Sequence, residues 1–172
     1  MKPTGEIKVN FSEEERLRYW SEMEKRAEAR REPRGRLHVI FSAGGARLAI
    51  DAAACSGVVP FSPATPLPFI SRHILGVTFV KGKIISVTDT CSLIGSRPLE
   101  KWKYLVLVKV DQVETALTAE IVERVLPVED DKLVEAASEW PGARLGLVRG
   151  RARDVLPTLY VLDPVRCIMQ AF

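Results

Sequence analysis

Two histidines, three cysteines and one pair of adjacent aspartates are the residues of this sequence best equipped for chemistry beyond packing. A Ser–His or Cys–His nucleophile needs a base within hydrogen-bond reach, so it would have to recruit His38 or His73. His38 stands at the start of an apolar run and is expected to be an ordinary surface or half-buried residue. His73 follows a proline-rich stretch and reads as structural or solvated. A zinc site would need Cys55, Cys91 and Cys167 to converge with His73, and the chain has neither Cys-x-x-Cys nor His-Glu-x-x-His spacing. Asp130 and Asp131 fall in a connector, where adjacent carboxylates solvate a loop more often than they exchange protons. Glycines 142, 146 and 150 recur every fourth residue, but in a strand region with no helix start to cradle a phosphate. No catalytic residue, metal or cofactor is expected.

Two runs of arginine raise a different chemistry: Arg26, Arg30, Arg31, Arg34 and Arg36, then Arg144, Arg149, Arg151 and Arg153. Nucleic-acid binding needs cations on one face and usually aromatics to stack bases. Only Trp20 and Tyr160 lie near these runs, so a solvated face and a hairpin tip are the expected meaning. The overall balance agrees, with 25 Lys+Arg against 22 Asp+Glu and a net charge of +3. A chain of 172 residues is long enough for one domain with an appendage. Three cysteines exclude a disulfide framework, no apolar run suits a membrane helix, and the N-terminus lacks a signal-peptide core. A reduced, cytoplasmic protein without membrane insertion is expected.

The elements that must position any site divide at about residue 36. Before it, Ser12 and Glu15 form a capping box, and Leu17, Trp20, Met23 and Ala27 mark one face of an amphipathic helix over residues 12–31. That face either packs on its own domain or meets a partner. After it come short apolar runs separated by turn signals. Hairpins are expected around Gly44-Gly45, around Lys81-Gly82-Lys83, around Asp111-Gln112, and between ARLGLVRG and VLPTLYVLD. ACSGVVPF is a further strand, SPATPLPF a loop, DTCSLIG a helical turn, and VERVLPVEDDKL leads into a polar connector. Asp163 and Pro164 open a short final helix. With no βαβ alternation, the fold class is mainly β, a barrel or sandwich, with a hint of duplication between the halves.

From Val39 to Cys167 the chain resembles the CheW-like family, coupling proteins of bacterial chemotaxis. FSAGGARLAID is similar to the family's opening hairpin. LPFISRHILGVTFVKGKIISVTDTCSLIG resembles its signature of a Pro-containing loop, Gly-Val-x-x-x-Arg-Gly, a β-branched run, Val-x-Asp and a later Gly. Gly76, Val77, Lys81, Gly82, Val87, Asp89 and Gly95 occupy those places. Ala119, Glu120, Val122 and Val125 match a second-half Val-Asp-x-Val-x-x-Val strand, and YVLDPVRCI resembles the closing strand and helix. The departures are Lys81 for the family's Arg, Gly57 where an acid is frequent in the third strand, Ser71 for the loop Pro with Pro66 and Pro68 upstream, and Ala119-Glu120 for Val-Asp.

The resemblance implies two small five-stranded β-barrels sharing a core over residues 37–172, after an N-terminal extension over residues 1–36. It also implies a non-enzymatic adaptor that joins the cytoplasmic tip of a methyl-accepting chemoreceptor to the regulatory domain of a CheA-type histidine kinase. Val58, Val80, Lys81 and Gly82 would then lie at the partner-binding groove and edge. Turn and core roles are the competing expectation for Gly82, Val58 and Val80. Two alternatives stand: a scaffold for another phosphorelay in motility, development or biofilm control, and a small-barrel nucleic-acid binder.

Overall fold

The structure is a computed structural model that describes residues 12–29, 35–96, 101–136, 146–152 and 157–170, with the side chains of 24–29 left aside. The strand-like segment GEIKVNF, Arg30, Arg31, Arg34, Arg144, Arg153 and Gly142 lie outside the described residues. The chain forms two units, residues 1–34 and 35–172.

In the first unit, helix α1 spans Glu13–Ala29. Its capping box is reciprocal: Glu15 N–H donates to Ser12 Oγ at 3.2 Å, and Ser12 N–H to Glu15 Oε2 at 2.9 Å. Those bonds hold the Glu15 carboxyl below its ordinary range. Leu17, Trp20 and Met23 are exposed.

The second unit is built from two sheets. Its strands are β1 (Arg36–Ala43), β2 (Ala46–Asp51), β3 (Cys55–Pro60), β4 (Ile74–Val80), β5 (Lys83–Thr88), β6 (Tyr104–Val110), β7 (Val113–Ala119), β8 (Ile121–Val128), β9 (Leu133–Val134), β10 (Val148–Ala152) and β11 (Leu159–Leu162). Helices α2 (Thr90–Leu93) and α3 (Pro164–Gln170) complete it. One sheet runs β8-β1-β2-β11-β10-β9 and the other β3-β6-β7-β5-β4. Each contains two hairpins joined by a parallel pair, β2 with β11 and β5 with β7. The duplication therefore does not follow the halves of the chain: the first sheet takes both ends of the domain, and the second takes its middle. Each sheet also borrows a strand, since β3 crosses to β6 and β8 crosses to β1.

Why the sheets associate is visible in the alternation along the strands. Successive side chains of a strand face opposite ways. Val39, Phe41 and Ala43 of β1, Leu48 and Ile50 of β2, Val106 and Val108 of β6, and Leu117 and Ala119 of β7 enter one common cluster with α2, Leu147, Leu162 and α3. The opposite faces fill two smaller clusters. Ile40, Ala49, Leu159 and Val161 pack within the first sheet, and Ile85, Val87, Leu105, Leu107 and Ala116 within the second. Central strands buried on both sides must read as continuous apolar runs, as LHVIFSA and KYLVLVKV do.

Several expectations are corrected. The strand expected over VETALTAEIV breaks at Glu120, whose N–H bonds Ser42 O, and the second-half strand of the family pattern is β8, which leaves the second sheet to pair with β1. Among the described residues the first strand of the fourth hairpin is Val148–Ala152, and Lys83 pairs with Val80 within β5, leaving Lys81 and Gly82 as the turn. His38 is fully buried in β1, its Nδ1 2.8 Å from Arg36 O.

Asp89 caps α2, accepting from Cys91 N–H at 3.1 Å, yet it is 7% exposed. Burial pushes its carboxyl above the ordinary Asp range, opposed by backbone N–H groups and the nearby His73. A raised folded-state pKa favours the native state most at low pH, and that contribution is lost as pH rises through the raised value. Asn keeps the cap acceptor and cannot ionise, so Asp89→Asn is expected to hold or raise Tm at neutral pH and to flatten its decline across the carboxylate range. Asp89→Ala is expected to cost about 1 kcal/mol, and thermal melts over that range measure both. Phe41, fully buried in the common cluster, is expected to cost about 3–5 kcal/mol when truncated to Ala, read by chemical denaturation.

Candidate functional site

Tight turns decide where the exposed end of the second sheet points. A two-residue type I′ hairpin needs positive φ at both central positions. Gly44 and Gly45 supply it between β1 and β2, at 58° and 78°. Between β4 and β5 the same geometry falls on Lys81 and Gly82, at 47° and 81°. The Lys81 ammonium reaches the far edge of the sheet, where a Cβ added to Gly57 of β3 would stand 2.7 Å from Nζ. Because β3 and β4 are the two end strands of this sheet, the sheet curls far enough for its ends to approach. The segment after β3 laces the gap. Ser62 and Thr78 hydroxyls are 2.9 Å apart, and Thr65 and Val77 exchange backbone hydrogen bonds.

Gly76 shows why a small residue sits in that lacing. Its φ is +138°, and a Cβ there would overlap the Thr65 carbonyl.

Below Lys81 lies a pocket of about 180 Å³ lined by Ser56, Val80, Lys81, Lys83, Ile85, Leu107 and Glu114. Ser56 enters it through a bulge: β3 pairs with β6 as Cys55 to Val108 and then Gly57 to Leu107, leaving Ser56 extra. Its hydroxyl donates to Glu114 Oε1, and Lys83 Nζ stands 3.6 Å from Glu114 Oε2. Beside the bulge, burial pushes the Cys55 thiol up, against the pull of Lys81.

Of the four expected partner residues, Val80 and Lys81 line this pocket. Gly82 lies open at the turn, with nothing near its Cβ position. Val58 is exposed, but alternation turns its side chain away from the face on which Lys81 meets Gly57. Residue reading missed Phe79 and Ile84. They pair across the hairpin and are 70% and 73% exposed. Their signal was in the register: once Lys81-Gly82 is the turn, they share the outward face.

The residues weighed for other chemistry are otherwise engaged. Cys91 and Cys167 are buried, with thiols pushed up to about 11 and about 12 by desolvation, which makes them poor nucleophiles. Among the described residues no three His, Cys, Asp or Glu side chains gather to hold a metal. Asp130 holds Arg36 at 2.8 Å and lies 3.6 Å from Arg149, so those arginines sit in an ion-pair network rather than a free basic stripe. His73 Nε2 is 2.8 Å from Ser71 Oγ. No described helix is long and apolar enough to cross a membrane.

Residues 37–167 match the CheW-like domain family. The chain belongs to that family. The crystal structure of the scaffolding protein TtCheW from Thermoanaerobacter tengcongensis shares the fold, with a TM-score of 0.67 at 20% identity, over 78% of this chain and 88% of that one. A comparison with curated proteins finds no match. The mainly β CheW-like fold expected from the sequence is thus the observed one. The family is one of scaffolds, and the two departures at positions 57 and 81 meet in space.

Gly76→Ala is expected to break the Thr65–Val77 exchange and lower stability by at least 1–3 kcal/mol, since it combines backbone strain with a steric clash. Equal Tm for variant and wild type would contradict this account of Gly76.

Proposed function

We propose that this chain is a non-enzymatic scaffold that couples a methyl-accepting chemoreceptor to the regulatory domain of a CheA-type histidine kinase in bacterial chemotaxis. The observation that carries the reading is the placement of exposed groups in a CheW-like domain. Lys81 and Gly82 at the turn and Phe79 and Ile84 on the β4–β5 hairpin are exposed together at one end of the second sheet, with Val58 exposed on the opposite face of its end strand β3. An exposed apolar patch beside cations is a protein-docking surface by its physics. The partner-binding residues in this reading are Val58, Val80, Lys81 and Gly82. A scaffold for another phosphorelay is favoured by one observation, the meeting of Gly57 with Lys81, where the family more often has an acid and an arginine.

Lys81 is exposed, and its charge supports no ion pair among the described residues. Lys81→Glu is therefore expected to weaken capture of one of the two partners, the kinase regulatory domain or the receptor tip, in pull-downs with each. Its effect on stability stays within about 0.5 kcal/mol, as for a surface change. Equal capture of both by variant and wild type would remove Lys81 from the site. The domain boundary belongs to the same proposal: removing residues 1–34 is expected to leave a cooperatively melting domain. A broad, non-cooperative transition would place the N-terminal segment inside the folding unit.

A further inference from the structure

The scaffold reading leaves open what the partner presents to Lys81, and the pocket beneath it bears on this. Its floor is apolar, with Leu107 2% and Ile85 6% exposed and Val80 partly buried beside them. Its one carboxylate is already engaged, because Glu114 accepts from Ser56 and pairs with Lys83. The Ser56 bulge makes that engagement possible. Among the described residues no carboxylate stands within ion-pair distance of Lys81. Across the gap Gly57 offers no side chain, and a Cβ there would crowd the ammonium. A cation thus stands at the lip of an apolar-floored hollow, kept approachable by a glycine.

The size of the hollow narrows the occupant. At about 180 Å³ it is well below the roughly 300–1,000 Å³ of sites for drug-sized ligands, and it suits a single side chain. One available cation beside the Glu114 carboxylate is a poor match for a phosphate dianion and a good one for a monoanion with a short hydrocarbon stem. We propose that this pocket is a socket for a glutamate or aspartate side chain of the protein partner. Its carboxylate pairs with Lys81, and its methylenes lie on Val80, Ile85 and Leu107. This rests on the scaffold reading and specifies the chemistry of the contact.

Isothermal titration of the full chain tests it, with the regulatory domain of the host's CheA-type kinase and a receptor-tip fragment as separate probes. Lys81→Gln is expected to weaken one of the two by about tenfold and Lys81→Glu by more, the size expected for a partly desolvated charge pair. Changing acids of that partner to Lys one at a time is expected to find a single position that restores binding to the Lys81→Glu chain while weakening wild type. Inorganic phosphate at matched ionic strength is expected not to compete. Wild-type affinity in Lys81→Gln for both probes overturns the socket and leaves the scaffold reading intact. Competition by phosphate overturns the assignment to a carboxylate. A wild-type chain that binds neither probe overturns the scaffold reading and the socket together.

Discussion

Two sheets of this domain own one layer of apolar side chains in common, and the rest of the structure follows from that constraint. Strands β1, β2, β6 and β7 send alternate residues into the shared layer and the intervening ones into a private core behind it. A strand wetted on neither face has no room for a titratable group without a partner. Most polar residues buried there are threonines that bond a neighbour or cap a helix, such as Thr115 with Thr88 of β5, and Thr118 with the Thr90 N–H; the exception is His38 of β1, fully buried with Nδ1 on Arg36 O and Nε2 without a hydrogen-bond partner among the described residues. Exposed and unpaired groups are displaced to the places the core does not own: turns, end strands and the segment lacing β3 to β4.

The Lys81-Gly82 turn shows how that displacement works. A lysine in the left-handed region is less comfortable than the asparagine or glycine that such turns prefer, and strained backbone of this kind concentrates at functional positions. The turn aims the Lys81 side chain at β3, where its ammonium lies over Gly57. Curling of the sheet by its twist and the Ser56 bulge brings the two end strands close enough for one side chain to span them.

Much of this was legible in the residues. Paired glycines marked the first hairpin, Asp163-Pro164 the last helix, and the order of Gly76, Lys81, Gly82 and Asp89 the family. What stayed hidden depends on contacts distant in sequence. The resemblance marked a strand at Val122 and Val125, but not that it leaves the second sheet to pair with β1, because that ladder joins residues far apart in the sequence. His38 read as peripheral because nothing local tells that β1 is an inner strand, paired on both sides by β8 and β2. Gly57 and Lys81 stood out singly as departures, 24 positions apart (81 − 57) in the sequence. Only the closing of the sheet makes them one feature.

The most direct measurement of the central claim is functional reconstitution. Receptor-bearing membranes and a CheA-type kinase from the same host are combined with and without this chain, and kinase autophosphorylation is followed. The account predicts that the chain raises phosphorylation only when receptor and kinase are both present, and that receptor ligand then modulates it. Kinase activity indifferent to the chain under those conditions would contradict it.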